Sequence, residues 1–169
     1  MKTSINFKAA KSDSEIHNFR KKSFDYIRKD LTHKNEYWME QKIADRLLKI
    51  ETFCKEKSGR KLQKNAMPVR EAVVVIKENT TMQDLHNLSK RLEEELKIRV
   101  FQIAIHKDEG HYDKDTKEWK PNYHAHLVAD WQDLQTGKTL KHQSFHYSKM
   151  QDLAAECLEM ERGISGSLA

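Results

Sequence analysis

An α+β fold, with a central, mainly antiparallel sheet and helices packed mainly on one face, is what this sequence predicts. Three observations predict it. Apolar runs of strand length at residues 72–76, 100–105 and 124–128 are interspersed with longer stretches of 3.6-residue periodicity. The last two runs are separated by one polar insert, as in a hairpin. Only 5 Gly and 2 Pro interrupt 169 residues, a helix-leaning mixture of a length that suits one domain with its own core.

The elements follow in order. Residues 3–9 alternate well enough for a short first strand. Ser12-Asp-Ser-Glu15 reads as a capping box, hydroxyl and carboxylate satisfying each other's orphan amides. It opens a helix with Ile16, Phe19, Ser23, Tyr26 and Ile27 on one stripe and His17, Lys21, Phe24 and Arg28 on its flank, with Arg20 between them. Residues 31–35 read as a linker, and a long helix is predicted over 37–57, with Ile43, Leu47, Ile50 and Phe53 inward and Ser58-Gly59 ending it.

A basic connector containing Pro68 leads to residues 72–76, a continuous β-branched run expected of a central, doubly covered strand. Thr80-Thr-Met-Gln83 predicts a second cap, before a helix with Leu85, Leu88, Leu92 and Leu96 on one face. After the two later strands, Gln135-Thr-Gly137-Lys138 reads as a turn between short extended pieces. Ser148-Lys-Met-Gln151 predicts the cap of a last helix, which buries Leu153, Ala154, Cys157 and Leu158 and ends near Gly163. Residues 1–163 are expected to be one domain, with 164–169 a tail.

Bulk chemistry narrows the function classes. No apolar run approaches the roughly 18 residues needed to span a bilayer, and the N-terminus lacks the apolar core of a secretory signal. Cys54 and Cys157 each sit in an amphipathic helical pattern, as small buried thiols would in a reducing cytoplasm. A soluble, cytoplasmic protein is expected. Residues 1–35 hold nine Lys/Arg against four Asp/Glu, so the whole net charge of +5 lies there. That is the placement expected where a segment faces a nucleic-acid backbone, although a solvated basic helix gives the same count.

The chemistry concentrates in three histidines. Along a strand, His124 and His126 point to one face, about 6–7 Å apart. In the preceding run the alternation puts His106 on the face opposite Ile103 and Ile105, so a hairpin brings all three imidazoles together. Such rings suit a divalent ion, with Glu109 or His111 as a fourth ligand. No cysteine lies near, which argues against a closed structural zinc and for an open position that polarises a phosphate oxygen. His86, His142 and His146 read as structural or merely exposed.

The motifs together resemble a family. His17-Asn18-Phe-Arg20 is similar to the His-Asn-x-Arg motif of the MobV (Pre/Mob) plasmid mobilisation relaxases, and Leu31-Thr-His33-Lys-Asn35-Glu36 to their second motif. Arg70-Glu-Ala-Val-Val resembles the arginine-led strand that follows. His106-Lys-Asp108-Glu109 and His124-Ala-His126 resemble the two halves of the third motif, and Leu158-Glu-Met-Glu-Arg-Gly163 the end of the domain. The resemblance implies an HUH-type relaxase fold whose histidines hold Mn²⁺ or Mg²⁺. It implies nicking of one strand at an origin of transfer by transesterification, with a covalent link to the 5′ phosphate. The implied partner is origin-of-transfer DNA, a single strand plus an adjacent hairpin. It also implies a further C-terminal region beyond this chain, through which a coupling protein or self-association would act. One departure is plain: fourteen residues, 110–123, separate Glu109 from His124, where the family has only a few.

Carried onto this chain, the first motif makes His17 the nucleophile, with Tyr26 as the alternative. On an unbroken helix nine residues are two and a half turns, so the two would point in opposite directions. Tyr26 then shares the core stripe, whereas His17 shares its flank with basic residues. Arg20, Lys21, Arg28 and Arg70 are the expected DNA contacts. Rival readings are an HUH replication initiator or transposase, with Tyr147 as the tyrosine after the histidine strand, and a DNA-binding module with a structural metal. A metal hydrolase acting on another substrate leaves the basic first segment unexplained.

Overall fold

Alternation along the central strands decides what each face of the sheet holds. The computed structural model describes residues 1–11, 13–20 and 26–163. In chain order it contains β1 (Lys2–Thr3), β2 (Ile5–Ala9), α1 (Ser14–Asn18), a 3-10 turn (Lys29–Lys34), β3 (Glu36–Met39) and α2 (Ile43–Ser58). There follow β4 (Val69–Val75), α3 (Met82–Leu96), β5 (Arg99–His106), β6 (Gly110–Tyr112), β7 (Trp119–Pro121), β8 (His124–Asp130), α4 (Ser144–Leu158) and β9 (Glu161–Arg162). Five strands form one antiparallel sheet in the order β2-β4-β8-β5-β3. A short parallel pair, β1 with β9, ties the two ends of the described chain together.

One face is dry. Ala72 and Val74 of β4, Ile103 and Ile105 of β5, and Ala125 and Leu127 of β8 pack beneath the leucines of α3 and the apolar side of α4. The opposite face is shared. At one end α2 covers it, with Ile50 against Val69, Phe101 and Val128. A bulge between Val100 and Gln102 leaves Phe101 out of the ladder and turns it into this second cluster. At the other end the same face carries the histidines.

The expected α+β class, antiparallel sheet and strand pairing are therefore present, with several local corrections. The first helix is only Ser14–Asn18, followed by Arg20 in the left-handed region at φ 54°. Buried ion pairs to Asp108 and Glu109 hold the Arg20 guanidinium, and this long-range demand overrides the helical periodicity of the segment. Tyr26 is consequently 43% exposed rather than in the core, and Ile27 forms a β-bridge with Glu109. Ser12, Lys21, Ser23 and Phe24, and the tail 164–169, lie outside the described residues.

The second helix starts at Ile43, because residues 36–39 pair with β5 as an edge strand. The expected linker is a 3-10 turn. Thr81 and Asp84, one residue on from the expected pair, form the cap of α3. Gln143 and His146 cap α4, a turn before Ser148. The polar insert is a small ribbon, β6 paired with β7. Cys54 and Cys157 are free thiols, and no described helix is long and apolar enough to cross a membrane.

Candidate metal and nucleophile site

His106 and His124 are direct cross-strand partners in the β5–β8 ladder, and His126 lies one repeat further along the same face. The ring centroids are 5.1 Å apart for His106–His124, 4.8 Å for His106–His126 and 5.0 Å for His124–His126, a nearly equilateral triangle. All three rings are buried.

Each ring has its outer nitrogen committed. His106 Nε2–H donates to the Asn18 carbonyl at 2.7 Å, and His124 Nδ1–H to the Asn122 carbonyl at 3.0 Å. His126 Nδ1–H donates to the Glu71 carboxylate at 3.0 Å. These bonds fix the tautomers and aim a lone pair of each ring inward. His106 Nδ1 and His124 Nε2 are then only 3.3 Å apart, with Glu109 Oε2 at 2.9 and 3.2 Å from them. His126 Nε2 is buried with no hydrogen-bond partner.

The Arg20 guanidinium bonds the Glu109 carboxylate, whereas the buried His126 Nε2 is left without a donor, a costly state for a buried polar atom. Burial alone would raise the Glu109 carboxyl, but His106, His124 and Arg20 beside it hold it well below the usual carboxylate range. Burial takes His126 down to about 4, against the opposing bond to Glu71, so its imidazole is neutral near pH 7. Imidazoles with pinned outer nitrogens, plus one carboxylate, are the donor set of a divalent ion. The residues present fit such an ion: His106, Glu109 and His124 form one candidate cluster, and His17, His106 and His126 another.

His17 reaches this cluster from α1. Its ring lies 5.9 Å from that of His106 and 5.5 Å from that of His126. Burial lowers its pKa; Glu109 opposes this, and Arg20 and His106 add to it, so a neutral, nucleophilic ring is favoured. Tyr26 lies beside His17, its hydroxyl 3.4 Å from Nδ1. Burial and the charge of Glu109 raise the Tyr26 pKa, which disfavours the phenolate. A cavity of about 290 Å³ opens next to His17 and His126, with Lys8 and Lys11 on its wall.

The expected DNA contacts fare differently. Arg20 is buried and bidentate on Asp108, with a further bond to Glu109, so it orients acidic groups instead of facing solvent. Arg28 pairs with Asp30 and lies over the Trp119 ring of the ribbon. Arg70 points to the helix-covered face and stacks on Trp131 at 4.1 Å, away from the histidines. Lys21 is outside the described residues. His111 stands exposed on β6 and belongs to neither cluster.

Sequence reasoning missed Glu71, Asp108, and the lysines at 8 and 11. Glu71 did leave a signal: it is the lone carboxylate in a strand that, Arg70 apart, is otherwise Ala and Val. Such a group is buried only with partners.

The fold is similar to that of solved relaxase domains. Among the solved structures it matches are three of the MobM relaxase domain (MOBV; Mob_Pre) bound to plasmid pMV158 oriT DNA of 22 nucleotides, in Mn-bound crystals. The form at pH 5.5 aligns with TM-score 0.67 and 16% identity over 100% of this chain and 94% of that one. The form at pH 4.6 gives TM-score 0.69 and 15% identity over the same shares. A form with a 3′-thiophosphate, at pH 6.8, gives 0.68 and 15% over 100% and 93%. At this identity the likeness is one of fold. The chain matches no protein-family model and no curated protein.

Proposed function

We propose that this chain is the nicking domain of a MobV-type relaxase, residues 1–163, acting on single-stranded origin-of-transfer DNA. The observation that carries the reading is the convergence of His17 on three histidines whose outer nitrogens are already spent. The relaxase fold supports it. His106, His124 and His126, with Glu109, would hold Mn²⁺ or Mg²⁺, which when bound would supply Lewis-acid polarisation of the scissile phosphate.

The chain's own residues do the rest. Lys8 and Lys11 flank the cavity and attract the phosphates that lead to it. His17 presents a neutral ring nitrogen to the phosphorus. An N–P bond forms, the P–O3′ bond breaks and the 3′ oxygen leaves as a hydroxyl, so the 5′ phosphate stays on the protein. The other His17 nitrogen gives up its proton in the process, and the Tyr26 hydroxyl is placed to relay it, passing its own proton on towards the departing 3′ oxygen as it takes up that of His17. Arg20, fixed by Asp108, holds Glu109 against His106 and His124. A hairpin beside the nick would add duplex contacts elsewhere.

The test is adduct formation. Incubating the protein with Mn²⁺ and overlapping single-stranded oligonucleotides from its element should give a covalent protein–DNA species. That bond should be acid-labile, as a phosphohistidine is. His17→Ala should abolish the adduct, and Tyr26→Phe should slow it by about ten- to a hundredfold without abolishing it. An acid-stable adduct that needs Tyr26 and survives His17→Ala would reverse the assignment.

A further inference from the structure

Glu71 sits where β4 passes beneath both the metal histidines and α1. Its side chain is buried, and three donors meet it. His126 Nδ1–H and Asn18 Nδ2–H share Oε1 at 3.0 Å each, and the Ser14 hydroxyl reaches Oε2 at 2.7 Å. Burial would raise this carboxyl, yet those bonds bring it down to about 2, so it is ionised throughout the neutral range. The same carboxylate therefore holds a metal-facing imidazole from one side and a helix from the other.

The helix is the one that carries His17. Ser14, His17 and Asn18 stand at i, i+3 and i+4, so they share one face of α1. Five residues are too few to hold a helix by themselves. The setting of this face, and hence of the His17 ring, comes from tethers. Glu15 supplies one to the far side, accepting the Ile43 amide at 2.6 Å and the Gln102 side chain at 2.8 Å. The Asn18 carbonyl supplies another, through His106. Glu71 supplies two, one on each side of His17.

We propose that Glu71 is a positioning residue that couples the metal ligand His126 to the nucleophile helix, setting the affinity for the ion and the aim of His17 together. The proposal rests on the nicking function above. A carboxylate behind a ligating imidazole raises its basicity, and losing one typically costs 10–100-fold in metal affinity. Misplacing a nucleophile by about 1 Å can cost 10²-fold in rate. The two effects are separable, because removing the Ser14 and Asn18 side chains frees the helix while the His126 bond to Glu71 Oε1 stays in place.

Mn²⁺ affinity of the free protein, read by electron paramagnetic resonance, and single-turnover adduct formation at saturating Mn²⁺ measure the halves separately. Glu71→Ala should weaken Mn²⁺ about 10–100-fold and still react slowly once saturated. The double variant Ser14→Ala/Asn18→Ala should bind Mn²⁺ as wild type does but react about ten- to a hundredfold more slowly. Glu71→Gln keeps one oxygen for His126 and Asn18, so its saturated rate should recover towards wild type while Mn²⁺ stays weak. It also carries the test if Glu71→Ala fails to fold in a thermal melt. Wild-type Mn²⁺ affinity in both Glu71 variants, or a wild-type saturated rate in the double variant, overturns the coupling alone. Failure of the unaltered protein to bind Mn²⁺ removes the nicking function and the coupling with it.

Discussion

The two faces of the central sheet are built by the same strands and do opposite work. On β8, Leu127 points into a water-free layer beneath α3 and α4, while His126 and Val128, its neighbours in sequence, point the other way. The second face divides again: Val128 lies under α2 with Ile50 and Phe101, and His126 lies in the polar cluster with Glu71. Stability and chemistry are thus separated by one residue of alternation, not by distance. A strand can be strongly held by one face while the other bears a buried ring nitrogen without a donor, His126 Nε2.

Three consecutive alanine substitutions test that separation. His126→Ala should have the largest effect, weakening Mn²⁺ at least a hundredfold and eliminating adduct formation, with a cooperative thermal melt retained. A collapse of the fold instead would mean that the polar face is structural. Leu127→Ala should cost about 3 kcal/mol by chemical denaturation, as expected for a fully buried leucine, yet the folded fraction should bind Mn²⁺ normally. Val128→Ala, on the histidine face but beneath α2, should cost about 1–2 kcal/mol and leave the metal untouched. If Val128→Ala weakened Mn²⁺ as His126→Ala does, the division of the second face would be wrong. A sharper version uses chelator: stripping Mn²⁺ from the wild-type protein should abolish the adduct while the α-helical circular dichroism persists, because the dry face holds the sheet without the ion.

Much of this was legible in the residues. The period of two in His124-Ala-His126 and the parity of His106 against Ile103 and Ile105 fixed which face the rings occupy, and pairing of adjacent runs did the rest. The leucines of α3 appear inward at their expected spacing. What sequence concealed was set by partners far along the chain. Arg20 breaks a well-patterned amphipathic stretch because Asp108 and Glu109, nearly ninety positions away, demand its charge. Residues 36–39 have no strand-specific pattern and become a strand because β5 offers an open edge. Glu71 lay within a motif but looked like one more strand residue until the donors from α1 and β8 were seen to meet on it. Tyr26 moved from core to site for the same reason that α1 stops short.

The insert between the third histidine motif's two halves has its own lesson. Its base is closed by the Asn122 amide on the Glu109 carbonyl at 2.8 Å, directly beside the histidine cluster. At Gly110 an added Cβ would meet the Lys120 carbonyl oxygen at 2.3 Å, so the ribbon leaves that closure along one tightly set path. The histidine strands are therefore clamped below the ribbon, and its tip at 113–118 is free to be lengthened, shortened or replaced without shifting a ligand. In engineering terms the tip is a grafting point: a dye or a peptide tag placed there would report from the edge of the histidine cluster while leaving its geometry alone.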